Sequence, residues 1–279
     1  MAKQPKEKFS FLGKFGIGKP RSSDEPASTA LARRKILFMH IAKAAGSTVN
    51  VFFANHYSET QYAIHLESNE KWQSNPDELK SLSFLSGHIS LPVLGKKLNL
   101  EDYYKVTVIR EPYAQLCSHL AWIKRLAMPG EEKRFKQHPE YIQVLAGKLA
   151  ATEFAAPEKL ETLLGSLAER EAKLIENCQT RYFIFVPPGR PVDETDTRKA
   201  IEASATFDRI GITESISSFM KDVASDMSWP EPDDRIHQNV TQDFYGLDLS
   251  DSKTREVLWP LVQHDIELYK HIASLQNHL

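Results

Sequence analysis

Cysteine is nearly missing from this chain: Cys117 and Cys178 are the two it has among 279 residues. Two thiols are too few for a disulfide framework, and neither stands in a zinc-ligand spacing with the ten histidines. No HExxH pair, Cys-His set or Asp/Asn-rich calcium loop occurs either, so no metal centre is expected from spacing. Asp233-Asp234 and the acidic stretch 193–196 read as solvated loop charge. An excess of one charge is also lacking. Lys and Arg number 35 against 37 Asp and Glu, for a net charge of −2. Such balance gives no general attraction to nucleic acid or anionic lipid, so any anion site has to be local. No apolar run reaches the length of a membrane span, and no charged-then-apolar signal opens the chain. The expectation is a cytoplasmic protein with no integral membrane segment and no nucleic-acid partner.

What is present suits one large α/β core, since 41% of the residues are hydrophobic. Residues 1–33 are rich in Lys, Gly, Pro and Ser and read as a flexible tail; residues 34–279 read as a single domain with a helical insertion around 128–180. The tail holds a decoy. Gly13, Gly18 and Lys19 match the spacing of a nucleotide loop, but Pro20 replaces its Ser or Thr.

The chain is organised around residues 35–48, KILFMHIAKAAGST. Ile36 to Met39 form a continuous apolar run, as in a strand buried on both faces of a parallel sheet. The small residues of 42–46 let backbone amides approach a ligand, and Ser47-Thr48 open a helix. A strand, a small-residue loop and a helix N-terminus converge free N–H groups and a positive dipole end on one spot, where Lys43 adds a full charge. That is a pocket for phosphate or sulfate. Lys43 precedes Gly46, so the loop is not the Gly-Lys-Ser/Thr nucleotide motif.

A second strand, YYKVTVI at 103–109, ends in Arg110-Glu111-Pro112, and Pro112 presets the first turn of a helix carrying Ser118. Arginine offers a planar fork to phosphate oxygens, and a serine hydroxyl adds a donor. Further strands are expected near 62–66, before Gly87-His88, at 182–186 and at 207–213. Helices are expected over 113–127, 128–155, 157–179 and 198–205, after Glu214 and near the C-terminus. Strands alternating with helices predict a parallel sheet covered on both faces, with ligands beyond the carboxyl ends of the strands.

HIAKAAGST resembles the His-Ile-Pro-Lys-Thr-Gly/Ala-Gly-Thr-Ser loop of sulfotransferases related to heparan sulfate 2-O-sulfotransferase. Ala42 stands for Pro, Ala44 for Thr, and Ser47-Thr48 are in swapped order. VTVIREPYAQLCSHLAW is similar to the same family's Arg-Asp-Pro strand end with Ser eight residues after the Arg; Glu111 replaces the Asp. FLSGHIS resembles the family's Gly-His step.

The resemblance implies a P-loop-like three-layer α/β fold with a central parallel sheet. It also implies 3′-phosphoadenosine 5′-phosphosulfate (PAPS) as sulfuryl donor without a metal, and a hydroxyl acceptor on a saccharide or glycolipid. The expected reducing cytoplasmic setting differs from that of the Golgi-anchored animal enzymes and looks more like a bacterial member of that family. In this reading Lys43, Ala44, Ala45, Gly46, Ser47 and Thr48 hold the donor's 5′ side, and Arg110 and Ser118 its 3′-phosphate. His88 is the base, with His65 and His40 as alternatives, though His40 at the strand end suits bracing the loop. NCQTRYF resembles a family stretch that places Asn177 and Arg181 on the acceptor or cofactor side, and HQNVT places Asn239 near the adenosine phosphates. Trp72, Trp122 and Tyr113 are candidates for a sugar-stacking wall. Two other classes fit the pocket: a nucleotide-dependent kinase of the same fold, and a non-catalytic nucleotide-binding protein.

Overall fold

The computed structural model describes residues 35–187, 189–232 and 244–276. The chain divides between Ala32 and Arg33, and every described residue belongs to the unit beginning at Arg33. The decoy loop of the tail, Asp233-Asp234 and Asn239 lie outside the described residues.

The first half alternates strand and helix: β1 (Lys35–Met39), α1 (Gly46–Ala54), β2 (Tyr62–Ala63), α2 (Glu70–Ser74), β3 (Phe84–Gly87), α3 (Leu91–Lys97) and β4 (Tyr103–Ile109). A helical stretch comes next, made of α4 (Pro112–Leu126), α5 (Glu132–Gln137), α6 (Glu140–Ala151), α7 (Pro157–Gly165), α8 (Glu169–Ile175), α9 (Cys178–Phe183) and α10 (Glu194–Ser204). The chain ends with β5 (Arg209–Ile212), α11 (Ile216–Asp226), α12 (Ser252–Leu258) and α13 (Gln263–Gln276). No helix among the described residues is long and apolar enough to cross a membrane.

The sheet has five strands, all parallel, in the order β2-β3-β1-β4-β5, and helices flank it in a three-layer α/β arrangement. β1 is central and pairs with β3 on one side and β4 on the other, with Met39 opposite both Gly87 and Thr107. All seven residues of β4 are buried, as expected of a strand covered on both faces. From β1 the chain moves outward to β2 and returns through β3; from β4 it moves the other way to β5. The direction therefore reverses between β1 and β4, and the crevice beyond their carboxyl ends is where such sheets bind ligands.

Two apolar cores result. One packs β1, β3 and β4 against α1, α11 and α13, with Phe38, Phe53, Phe84 and Phe183 fully buried. The other joins α4, α6, α7 and α12 through Leu120, Leu145, Leu149, Leu160 and Leu258.

Three sequence expectations are corrected. The acidic stretch 193–196 is not loop charge: Asp193 caps α10, and Asp196, 2% exposed, pairs with Arg190. Residues 182–186 are not a strand: Tyr182 and Phe183 finish α9, and the next residues lie outside the sheet. Their apolar alternation packs Phe183, Ile184 and Val186 on the first core without ladder pairing. Residues 157–179 are not one helix but α7, α8 and the start of α9. At the first break, Ser166 turns its hydroxyl back to the Leu163 carbonyl, 2.7 Å away.

Candidate functional site

The loop after β1 is built from backbone that side-chain-bearing residues adopt at a cost. Lys43 has φ 64° and Ala45 φ 55°, both left-handed. Alternating hand turns successive N–H groups toward one side, the arrangement of an anion nest. Ala45 caps α1 without any side-chain hydrogen bond, and α1 carries no acidic residue in its first turn. The first N–H groups of α1 therefore have no partner within the helix. Gly46 is required by packing: a Cβ there would lie 1.7 Å from Nε2 of His40. His40 thus braces the loop, stacked on Phe38 with ring centroids 5.4 Å apart, as its strand-end position suggests.

Ala44 departs from the expected role. It is 1% exposed in the first core and its N–H turns inward to the Ile41 carbonyl at 3.4 Å. Its methyl fills the core where a threonine would have presented a hydroxyl, so the ligand-facing loop is Lys43 and Ala45 to Thr48.

Arg110 leaves the end of β4 beside this loop, and its Nη1 donates to the Lys43 carbonyl at 3.3 Å. Gln179 grips the Arg110 backbone on both sides, accepting from its N–H and donating to its C=O, each at 2.9 Å. Gln115 of α4 donates to the Ala42 carbonyl at 2.9 Å. Among the described residues neither Lys43 nor Arg110 has a carboxylate within ion-pair distance. Burial, with Arg125, Arg110 and Arg134 around it, pushes the Lys43 ammonium down to about 8. Half-buried cations with like charges around them are favourable places for an anion.

The opposite wall belongs to histidines. His88 comes directly after β3, and the pairing of β1 with β3 sets it beside His40, ring centroids 3.9 Å apart. His88 Nδ1 donates to the His40 carbonyl at 2.8 Å. A carbonyl only accepts, so in the neutral ring Nδ1 carries the proton and the Nε2 lone pair is available. Burial lowers the His88 pKa, outweighing the opposing pull of Glu67 and the His40 carbonyl, so the ring is neutral near pH 7. Burial, then His88, His65 and Lys43, holds His40 well below the usual histidine range.

Lys43, Ala45, Gly46, Ser47, Thr48, His88, Arg110, Ser118 and Arg181 all border one hollow of about 1330 Å³, ample for a nucleotide together with a second molecule. Ser118 is buried in that wall. Arg181 reaches it while paired with Glu176. Asn177 does not reach it. It is fully buried; its amide donates to Glu176 and the Pro260 carbonyl and accepts from the N–H groups of His264 and Asp265. Every polar position is taken, so Asn177 ties α9 to α13 rather than meeting a ligand. Trp72 and Trp122 border the hollow, whereas Tyr113 is packed in the second core under Arg255.

Several residues had no sequence signal. Glu67 accepts the His88 N–H at 2.8 Å from a loop 21 residues earlier. Tyr182 brings its hydroxyl to 3.5 Å from His88 Nδ1. His119, 5% exposed, borders the hollow with an unpartnered Nδ1, and burial pushes its pKa down to about 3. Phe185, 63% exposed, stands at the rim. The fold also gathers His65, Glu67 and His88, which no local spacing connects.

No protein-family model matches the chain and no curated protein is significantly similar to it, so the functional reading rests on these residues and their geometry.

Proposed function

We propose that this chain is a PAPS-dependent sulfotransferase acting on a hydroxyl of a saccharide or glycolipid. One observation carries the reading. Two half-buried cations with no carboxylate at ion-pair distance among the described residues, Lys43 and Arg110, follow the ends of adjacent strands, joined by a 3.3 Å hydrogen bond beside an uncapped helix N-terminus. A ligand with anionic groups at both ends of one small body suits that spacing. The Arg-Glu-Pro strand end and the lysine loop both resemble the donor-binding segments of the heparan sulfate 2-O-sulfotransferase-like enzymes.

PAPS supplies an activated sulfuryl group on a 5′-phosphate, with a second phosphate at the 3′ position. The N–H groups of Ala45 to Thr48 hold the 5′ side, and Lys43 neutralises charge as it builds on the leaving phosphate oxygen. Arg110 and Ser118 hold the 3′-phosphate, a group that ATP lacks. His88 takes the acceptor's hydroxyl proton on Nε2, its Nδ1–H anchored on the His40 carbonyl. Arg181 and the exposed Phe185 also border the hollow and are assigned to the acceptor. A sulfuryl group carries less charge than a terminal phosphoryl group, so this assignment calls on no metal clamp.

The test is transfer of sulfur-35 from labelled PAPS to a panel of saccharides and glycolipids, read by product mass, with calorimetry of 3′,5′-adenosine bisphosphate alongside. Transfer that disappears in His88→Ala, with tight bisphosphate binding, is expected. Binding of ATP with magnesium but not of the bisphosphate would replace the reading by a kinase. Bisphosphate binding with no transfer to any acceptor would leave a binding protein.

A further inference from the structure

His65, Glu67 and His88 bring two imidazoles and a carboxylate to one place on the wall of the hollow, their ligating atoms within 4.8 Å of one another. The backbone is bent to achieve it. His65 adopts φ 56°, a left-handed conformation that histidine enters more readily than most side-chain-bearing residues, and the adjoining 3-10 turn Leu66–Ser68 carries Glu67. Gly87 makes room, since a Cβ there would stand 2.8 Å from Glu67 Oε2. Glu67 is held at both oxygens: Oε2 accepts the His88 N–H at 2.8 Å, and Oε1 lies 3.3 Å from His65 Nδ1.

His88 is oriented as metal-binding histidines are. Such rings donate one N–H to a carbonyl or carboxylate, which fixes the tautomer and aims the other nitrogen at the ion. Here Nδ1 donates to the His40 carbonyl at 2.8 Å, and Nε2 has no hydrogen-bond partner among the described residues. Two imidazoles and one carboxylate form a set that zinc takes readily, leaving a fourth position open. Zinc bonds of about 2.0–2.1 Å in a tetrahedron place ligand atoms about 3.4 Å apart. The His65–Glu67 pair already has that separation at 3.3 Å, and modest side-chain movement closes the rest.

We infer that His65, Glu67 and His88 form a binding site for a zinc-class divalent cation, with its open position facing the hollow. The site itself stands on geometry. One consequence rests on the proposed function: an ion on His88 Nε2 occupies the lone pair that removes the acceptor's proton, so bound metal and transfer exclude each other. The ion is then a reversible inhibitor, and its release frees the base.

The test is titration calorimetry of the whole protein with zinc sulfate, without donor or acceptor, repeated with cobalt(II) to read visible d–d bands. One equivalent per chain is expected, with the bands of a nitrogen- and oxygen-ligated ion. His65→Ala, Glu67→Gln and His88→Ala should each weaken binding by about tenfold or more, while His271→Ala, on α13, leaves it unchanged. His65 is a partly exposed loop residue, so the first variant tests the site even if another fails to fold. No saturable binding, or binding that survives all three substitutions, overturns the site. Zinc should also inhibit sulfur-35 transfer, with His65→Ala requiring at least about tenfold more zinc. Transfer indifferent to saturating zinc overturns the inhibitory role. Zinc binding in a protein that transfers no sulfur would remove the proposed function and leave the site standing.

Discussion

At the scale of single residues, the site is a set of groups held in states they would not adopt in water. Lys43 titrates at about 8 because it is buried and faces arginines rather than carboxylates. An anion bound beside it raises that value, so binding above pH 8 has to take up a proton. On the proposed function, affinity for 3′,5′-adenosine bisphosphate should be full just below about pH 8 and fall above it, by at most roughly tenfold per unit. Calorimetry across this range checks the slope, and Lys43→Arg, whose charge persists, should flatten it. A flat profile for the native protein would remove Lys43 from the anion site. Lys43→Ala should lower turnover on the order of a hundredfold, whereas Arg110→Ala should mainly weaken donor binding. Gly46→Ala places a methyl 1.7 Å from His40 Nε2, so the ring or the loop has to move. A loss of about 1–3 kcal/mol in urea denaturation is expected, with weaker bisphosphate binding.

Elements position these residues through their ends. β1, β3 and β4 finish at one edge, α1 and α4 begin there, and α9 holds the edge from outside. Glu111 starts α4 by accepting the Ala114 N–H at 2.7 Å, and Pro112 occupies the first turn. α9 depends on Asn177, whose φ of 44° suits asparagine better than most residues and whose amide joins α9 to α13. Asn177→Ala leaves the His264 and Asp265 N–H groups buried without that acceptor, at a cost of roughly 3 kcal/mol. Chemical denaturation should show that loss while the KM of folded protein for donor and acceptor stays unchanged. A KM shift without a stability loss would return Asn177 to the ligand site. Gln179, two residues on, holds the Arg110 backbone by its own pair of hydrogen bonds, so Arg110 keeps its place in the protein that remains folded.

At the scale of the whole molecule, the fold keeps a hollow whose wall concentrates unpaired positive charge, at some expense to stability. A bisphosphate that binds there stabilises the native state by about 2.7 kcal/mol at a hundred times its Kd. For a chain of this size that corresponds to a rise in Tm of roughly 5–11 °C. Arg110→Ala should shrink the rise more than Lys43→Ala does, and both should leave the ligand-free Tm about equal, since each removes a half-buried like-charge neighbour of the other. Scanning calorimetry with and without ligand reads both values. A ligand-free Tm that drops sharply in both variants would make the two cations structural.

The sequence by itself determined the two central strands, β1 and β4, and which residues follow them. The apolar runs before His40 and Arg110 fit only a doubly covered parallel sheet, and such strands must deliver the residues after them to a single edge. Lys43, Arg110 and His88 could be read as neighbours for that reason. Tertiary structure alone decided how the groups are used. It turned Ala44 into the core, closed Asn177 into a hydrogen-bonded brace, kept 182–186 out of the sheet, and brought Glu67 and His65 to His88. Local patterns carry periodicity and strand ends, because those depend on near neighbours in the chain. Which side chain a buried carbonyl or a missing Cβ admits depends on segments far apart in sequence, and packing alone settles it.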